Sequence, residues 1–170
     1  RGTEDLGGGL KAVFQLENGF DVNSGALGQA HRMFGRQAWV GMQSATLGTV
    51  TLGRQYDSVV DYLAPLTANG NWAGYLLSHP FDNDNLDNSF RVNNSIKFQS
   101  ANYSGFKFGA LYGFSNEAGE FANNRAYSVG ASYTYAGLNV AAGYLQLNNS
   151  VGAANANTSG AVSGDNTLLA

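Results

Sequence analysis

The sequence predicts an all-β chain, an antiparallel up-and-down transmembrane β-barrel, and three observations predict it. Charged residues are only 12% of the 170, about half the share of an ordinary soluble domain. Segments of roughly 8–10 residues alternate apolar and polar side chains, the length a tilted strand needs to cross a bilayer. The connections between them run short, long, short, long, as turns and loops do in such barrels. A soluble β-sandwich also alternates, but it buries its apolar face and shows a charged one. Here the second face is small and polar.

Composition narrows the class further. Glycine numbers 23, proline 2 and cysteine 0. A cysteine-free chain has no disulfide framework, thiol catalysis or cysteine metal site. No run of about 18 apolar residues is present to form a membrane helix. The net charge of -3 gives no basis for a nucleic-acid partner. No signal peptide is visible, and Arg1-Gly-Thr-Glu-Asp5 reads as the interior of a domain. The whole of 1–170 reads as one partial barrel domain.

Taken in order, Glu4 to Gly9 reads as a tight turn, because consecutive glycines accept positive φ cheaply. Lys11–Glu17 reads as a strand with Ala12, Phe14 and Leu16 on one face and Lys11, Gln15 and Glu17 on the other. A polar loop follows, then a strand at 37–43 and another at 48–56. Residues 57–90 form the longest connection. It is far beyond the length of about 12–15 residues above which connections are uncommon, yet Tyr62, Leu63, Leu66, Trp72, Tyr75, Leu76, Leu77, Phe81 and Phe90 make it too apolar to be left in water. It is predicted to fold back against the barrel wall and narrow the lumen. Strands follow at 91–99, 106–114, 127–135 and 138–144, the last two joined by Ala136-Gly137. Residues 148–170, rich in Asn, Ser, Gly and Ala, read as a flexible extracellular loop.

Alternation assigns candidate side chains to water. A Lys or Arg facing lipid at mid-membrane costs about 2–4 kcal/mol, so Lys11, Arg91, Lys97 and Lys107, all on the polar phase, are predicted to line the lumen. Arg91 adjoins the long loop and is placed nearest its constriction. Arg36 and Arg54 fall in phase with the apolar set, which a bulge or a position past the membrane edge reconciles. Asp57, Asp61, Asp82, Asp84 and Asp87 are the candidate acids of the inserted loop, set against a reading as solvated loop charges. The Asp82–Asp87 run does not match a calcium loop, since Leu86 and Asp87 stand where an acidic or amide ligand and then glycine belong. No metal or cofactor is expected. His31 and His79 are the only histidines, and no spacing pairs either with a nucleophile.

Several stretches carry a resemblance. Arg1-Gly-Thr-Glu-Asp-Leu-Gly-Gly-Gly-Leu-Lys-Ala-Val-Phe-Gln-Leu-Glu17, Arg36-Gln-Ala-Trp-Val-Gly-Met42, Gly48-Thr-Val-Thr-Leu-Gly-Arg-Gln-Tyr-Asp57 and Arg91-Val-Asn-Asn-Ser-Ile96 resemble segments of Gram-negative general-diffusion porins of the β-proteobacterial branch. The resemblance implies a barrel of about 16 strands, of which this chain holds about seven and the start of an eighth. It implies an outer-membrane location, a homotrimer, a third loop folded into the pore, and passive diffusion of small hydrophilic solutes and ions. It also implies wall arginines at Arg36, Arg54 and Arg1. The lysines and arginines argue for anions, and the loop acids oppose them. Two other classes stay open: an outer-membrane β-barrel hydrolase using a histidine, and a secreted β-sandwich adhesin.

Overall fold

Strict alternation of side chains gives a chain whose every segment can pair with its neighbour. A computed structural model describes residues 1–68, 71–72, 85–86, 88–116, 118–119, 121, 124–149, 158–159 and 164–169. Strands β1 (Gly2–Gly7), β2 (Leu10–Glu17), β3 (Gln37–Ser44), β4 (Gly48–Gln55), β5 (Arg91–Ser100), β6 (Phe106–Gly113), β7 (Arg125–Tyr135) and β8 (Leu138–Asn149) form one antiparallel sheet in sequence order. A two-residue β9 (Thr158–Ser159) pairs with β5, and β10 (Gly164–Leu169) pairs with β8. The short connections lie at one end of the sheet and the long ones at the other.

Pairing registers sort the two faces into rows. One row reads Ala12, Met42, Val50, Phe98, Ala110, Val129 and Tyr144 across β2 to β8. These side chains point outward, and Met42 and Val129 are about half exposed. Aromatic rings gather at the short-turn end of this face, where Tyr103, Phe106 and Phe108 stack and Tyr133 lies parallel to Tyr135. An apolar exposed band edged by aromatics is the surface that lipid tails and headgroups demand. No helix among the described residues is long and apolar enough to cross a membrane.

Two elements differ from the reading by composition. The tight turn expected over Glu4–Gly9 is confined to Gly8 and Gly9, because Gly2 to Gly7 pair with β2. Residues 148–170 are not all loop: β8 runs on to Asn149 and β10 lies along it. In both places the unpaired backbone of an adjacent strand supplies hydrogen bonds that glycine-rich or amide-rich composition does not announce.

The inner face is the one covered by the start of the long connection. Asp57 caps a short helix, Ser58–Tyr62, by accepting hydrogen bonds from the Val59 and Val60 amides at 2.8 and 3.3 Å. A 3-10 turn, Ala64–Leu66, follows with Pro65 inside it. The helix packs against β7 and β8. Its Val59 joins Leu86 and Phe90 from the far end of the connection, and Val92, Leu111, Ala126, Leu145 and Leu147 from the wall, in one buried apolar cluster. Of the apolar loop residues, Tyr62, Leu63 and Phe90 pack as expected, whereas Leu66 and Trp72 are exposed. Tyr75, Leu76, Leu77 and Phe81 lie outside the described residues.

Candidate functional site

Two inner rows define what the sheet offers to the loop and to water. The first reads Lys11, Gln43, Thr49, Gln99, Gly109, Gly130 and Gly143. The second reads Val13, Gly41, Thr51, Lys97, Leu111, Ser128 and Leu145. From β2 to β5 the rows are mostly polar, with Val13 and Gly41 as exceptions. From β6 to β8 they turn to glycine and leucine around a single serine, Ser128, and there the helix sits.

The glycines make a furrow for it. A Cβ on Gly130 would fall 2.7 Å from the Tyr62 ring and 3.1 Å from the Ser58 carbonyl oxygen. One on Gly109 would fall 2.7 Å from the Tyr62 hydroxyl, and one on Gly143 would fall 2.7 Å from a Leu63 methyl. Gly130 is the most constrained, since both a ring and helix backbone stand against it; at Gly109 the Phe98 carbonyl of β5 is nearer still, at 2.6 Å, and at Gly143 the obstacle is the end of a flexible leucine. Polar bonds fix the helix there: the Ser58 amide donates to Ser128 Oγ at 2.9 Å, and the two serine hydroxyls meet at 3.0 Å.

The loop acids are built into this seat. Asp57 is fully buried. Besides capping the helix, it accepts a short hydrogen bond from Asn85 Nδ2. Asn85 also bonds both backbone groups of Phe90, at 3.1 and 3.2 Å, so one carboxylate clasps the beginning of the connection to its end. Burial pushes the Asp57 carboxyl up to about 6, with Asn85 opposing and Asp61 adding. Asp61 pairs with Lys97 Nζ at 2.8 Å, and the same ammonium donates to the Tyr56 carbonyl at 3.0 Å. Burial also raises Asp61, against the pull of Lys97. The reading of these two as solvated loop charges is thus corrected. Asp82, Asp84 and Asp87 lie outside the described residues, as does His79.

The basic residues separate into two groups. Arg36, Arg54 and Arg91 converge on the long-loop end around Tyr56. Arg36 forms an ion pair with Glu17 and donates to the Tyr56 hydroxyl at 3.2 Å. Arg91 lies over the Tyr56 ring, its Cζ 4.6 Å from the centroid, and donates a short bond to the same hydroxyl. It also donates to the Ser89 carbonyl, at 3.2 Å. Arg54 is buried and donates to the Gly35 carbonyl at 2.8 Å, the Arg91 carbonyl at 3.3 Å and Asn93 Oδ1.

A β-bulge explains the phases. The register of β4 with β5 shifts between Gly53–Ser95 and Gln55–Val92, and Asn94 has a φ of 47°. Consequently Val92, not Arg91, shares the inner face with Ser95, Lys97 and Gln99. Arg91 is only 3% exposed, which corrects its expected place on the water-lined phase. Arg54 stays in the outer phase, opposite Ala38, at the strand end where its guanidinium reaches the Gly35 and Arg91 carbonyls on either side. The remaining basic residues stand apart from this cluster. Lys11 heads the first inner row, Lys107 faces Ser132 beside a cavity of about 580 Å³, and Arg1 is exposed ahead of β1. His31 is exposed at the end of a short helical segment, Gly28–His31, before β3, and no metal-binding cluster occurs among the described residues.

Alternation alone missed Leu145 and Leu147, which lie past the strand end expected at Tyr144, and the Gly109–Gly130–Gly143 furrow. The signal was present in each strand separately, as small residues on the inner phase, but the register that aligns them was not.

An open β-wall with an apolar outer band and a loop seated on its inner face is the arrangement of a membrane channel wall. The match with the Gram-negative porin family model extends over residues 1–168, and the chain belongs to that family of outer-membrane proteins. It is 41% identical over 160 residues to an outer membrane porin protein of Bordetella pertussis, covering 87% of this chain and 41% of that one. It is 35% identical over 128 residues to outer membrane porin protein 32 of Delftia acidovorans, covering 67% of this chain and 33% of that one. The solved anion-selective porin from Comamonas acidovorans superposes with a TM-score of 0.63 at 27% identity, covering 85% of this chain and 45% of that one. The chain therefore spans less than half the length of these relatives.

Proposed function

We propose that this chain forms part of the wall and the constriction of a water-filled outer-membrane channel through which small hydrophilic solutes and ions diffuse passively. Residues 57–90 are its constriction loop, and the working unit is a homotrimer. The chain acts by shape and charge, and no catalytic step is assigned to it.

One observation carries the reading of selectivity. Three guanidinium groups, Arg36, Arg54 and Arg91, gather where the inserted loop leaves and rejoins the wall, and Arg91 has no carboxylate among its described partners. Fixed charge at a narrow point sets ion preference, and an uncompensated cation acts through its field even where it is buried. The channel therefore prefers anions, the same sign of preference as the anion-selective Comamonas porin. Lys11, Lys107 and Arg1 add positive charge along the wall. Lys97 contributes little, because Asp61 matches its charge at 2.8 Å.

Planar-bilayer recording of the detergent-extracted protein under a salt gradient tests this. Stepwise openings with a reversal potential on the anion side are expected, and Arg91→Gln shifts that potential toward zero. A potential unchanged by Arg91→Gln removes that residue from selectivity, and the absence of steps from folded protein contradicts the channel.

A further inference from the structure

The polar half of the inner face holds a cavity of about 270 Å³ in which Trp39 stands among amides and hydroxyls. Gln43, Thr49 and Gln99 line it as direct cross-strand neighbours on β3, β4 and β5. Their side chains form no hydrogen bond within the described residues, so their donors and acceptors are free for a solute.

The neighbouring amides are already committed. Trp39 Nε1 donates to Gln37 Oε1 at 3.0 Å, and Gln37 Nε2 donates to Glu17 at 2.8 Å. Those two bonds orient the indole. Gln55 is held by the Thr51 hydroxyl at 2.6 Å and by Ser95 at 3.2 Å. The charged residues lining the cavity are Lys97 and Asp61, and they neutralise each other at 2.8 Å. The cavity thus has no net charge with which to hold an ion.

Each free group matches one chemistry. Amide and hydroxyl side chains both donate and accept, which suits a ligand whose hydroxyls do the same. An oriented indole offers an apolar face to C–H groups. A concave site with an aromatic wall and a few convergent polar groups is the usual form of a small-molecule site. We propose that Trp39, Gln43, Thr49 and Gln99 form a binding subsite for a neutral polyhydroxylated solute of the sugar class, on the inner wall beside the Lys97–Asp61 pair. This rests on the channel reading, since the solute must reach the inner face.

The test is a conductance titration of the detergent-extracted protein in planar bilayers, with sucrose as the probe and a polyethylene glycol of similar size as the control. Current is corrected for the conductivity of the solution. Sucrose is expected to lower it saturably, and the glycol, which lacks the paired hydroxyls, only in proportion to bulk. Trp39→Leu and Gln99→Leu are each expected to raise the half-saturating sucrose concentration about fivefold, the loss of one modest contact, while opening in steps of wild-type size. If Trp39→Leu does not insert, Gln99→Leu alone decides. Sucrose acting only in proportion to bulk conductivity overturns the subsite while leaving an open channel. Saturation unchanged in the inserting variants overturns its location. The absence of steps from wild-type protein overturns the channel reading and the subsite with it.

Discussion

The inner face of β2 to β5 and that of β6 to β8 belong to one sheet and follow one alternation, yet they face different partners. On β3 to β5 the inward row is Gln43, Thr49 and Gln99; on β6 to β8 the same row continues as Gly109, Gly130 and Gly143. Among the described residues the first stretch is left uncovered apart from Asp61 at its border with Lys97, and the second meets a helix. Small side chains let the helix backbone approach the wall, and the leucines of the neighbouring rows bury Val59 and Phe90. The lesson is that an inward position in a membrane sheet is not automatically a wet one. What the loop covers becomes a core, with a core's intolerance of volume, and what it leaves uncovered stays polar.

That contrast breaks most severely at the furrow. Gly130→Leu would drive a side chain into the Tyr62 ring and the Ser58 carbonyl. Overpacking of this kind costs about 3 kcal/mol or more, enough to unseat the helix, and protease cleavage within 57–68 is expected to rise sharply. An equally bulky change at Gln43, on the open half, is expected to leave cleavage unchanged.

The Lys97–Asp61 pair stands on the border between the halves. Its side chains are 7% and 16% exposed, and removing one partner of such a pair leaves a buried charge, at about 3 kcal/mol. Lys97→Met is expected to lower stability in urea unfolding by that order, and adding Asp61→Asn to recover most of it. Additive losses would mean that the two do not act as a pair.

The smallest effect concerns Asp57. Its carboxyl holds a proton up to about 6 in the folded protein, above the ordinary carboxylate range of the unfolded chain. The folded state thus binds the proton more tightly, so this group's contribution is fully present below the unfolded value and is lost as pH rises through about 6. An infrared band of a protonated carboxyl titrating near 6, and missing in Asp57→Asn, is expected. Titration in the ordinary range would show that the clasp with Asn85 is open to water.

Much of this architecture is legible in the chain. The alternation of Phe106–Phe114 or Tyr127–Tyr135 states both strand and face, and the apolar content of 57–90 states that the loop must pack. What is not legible depends on register and distance. Asn93-Asn94 gives no sign that a bulge will move Arg91 off the inner phase. Asp61 and Lys97 lie 36 residues apart, and only the folded loop joins them. Asp57 is one acid among five in the loop until burial and Asn85 distinguish it. The end of the chain misled in the opposite sense, because β10 pairs through backbone groups while its composition reads as loop.

Whether the helix seated on the glycine furrow narrows a water-filled path is decided by single-channel conductance of the wild type against Gly130→Leu in the same bilayer. Larger steps in Gly130→Leu are predicted, because the unseated helix no longer occupies the lumen side of β6 to β8. Steps of equal size, from protein whose loop is shown by cleavage to be unseated, would contradict that narrowing.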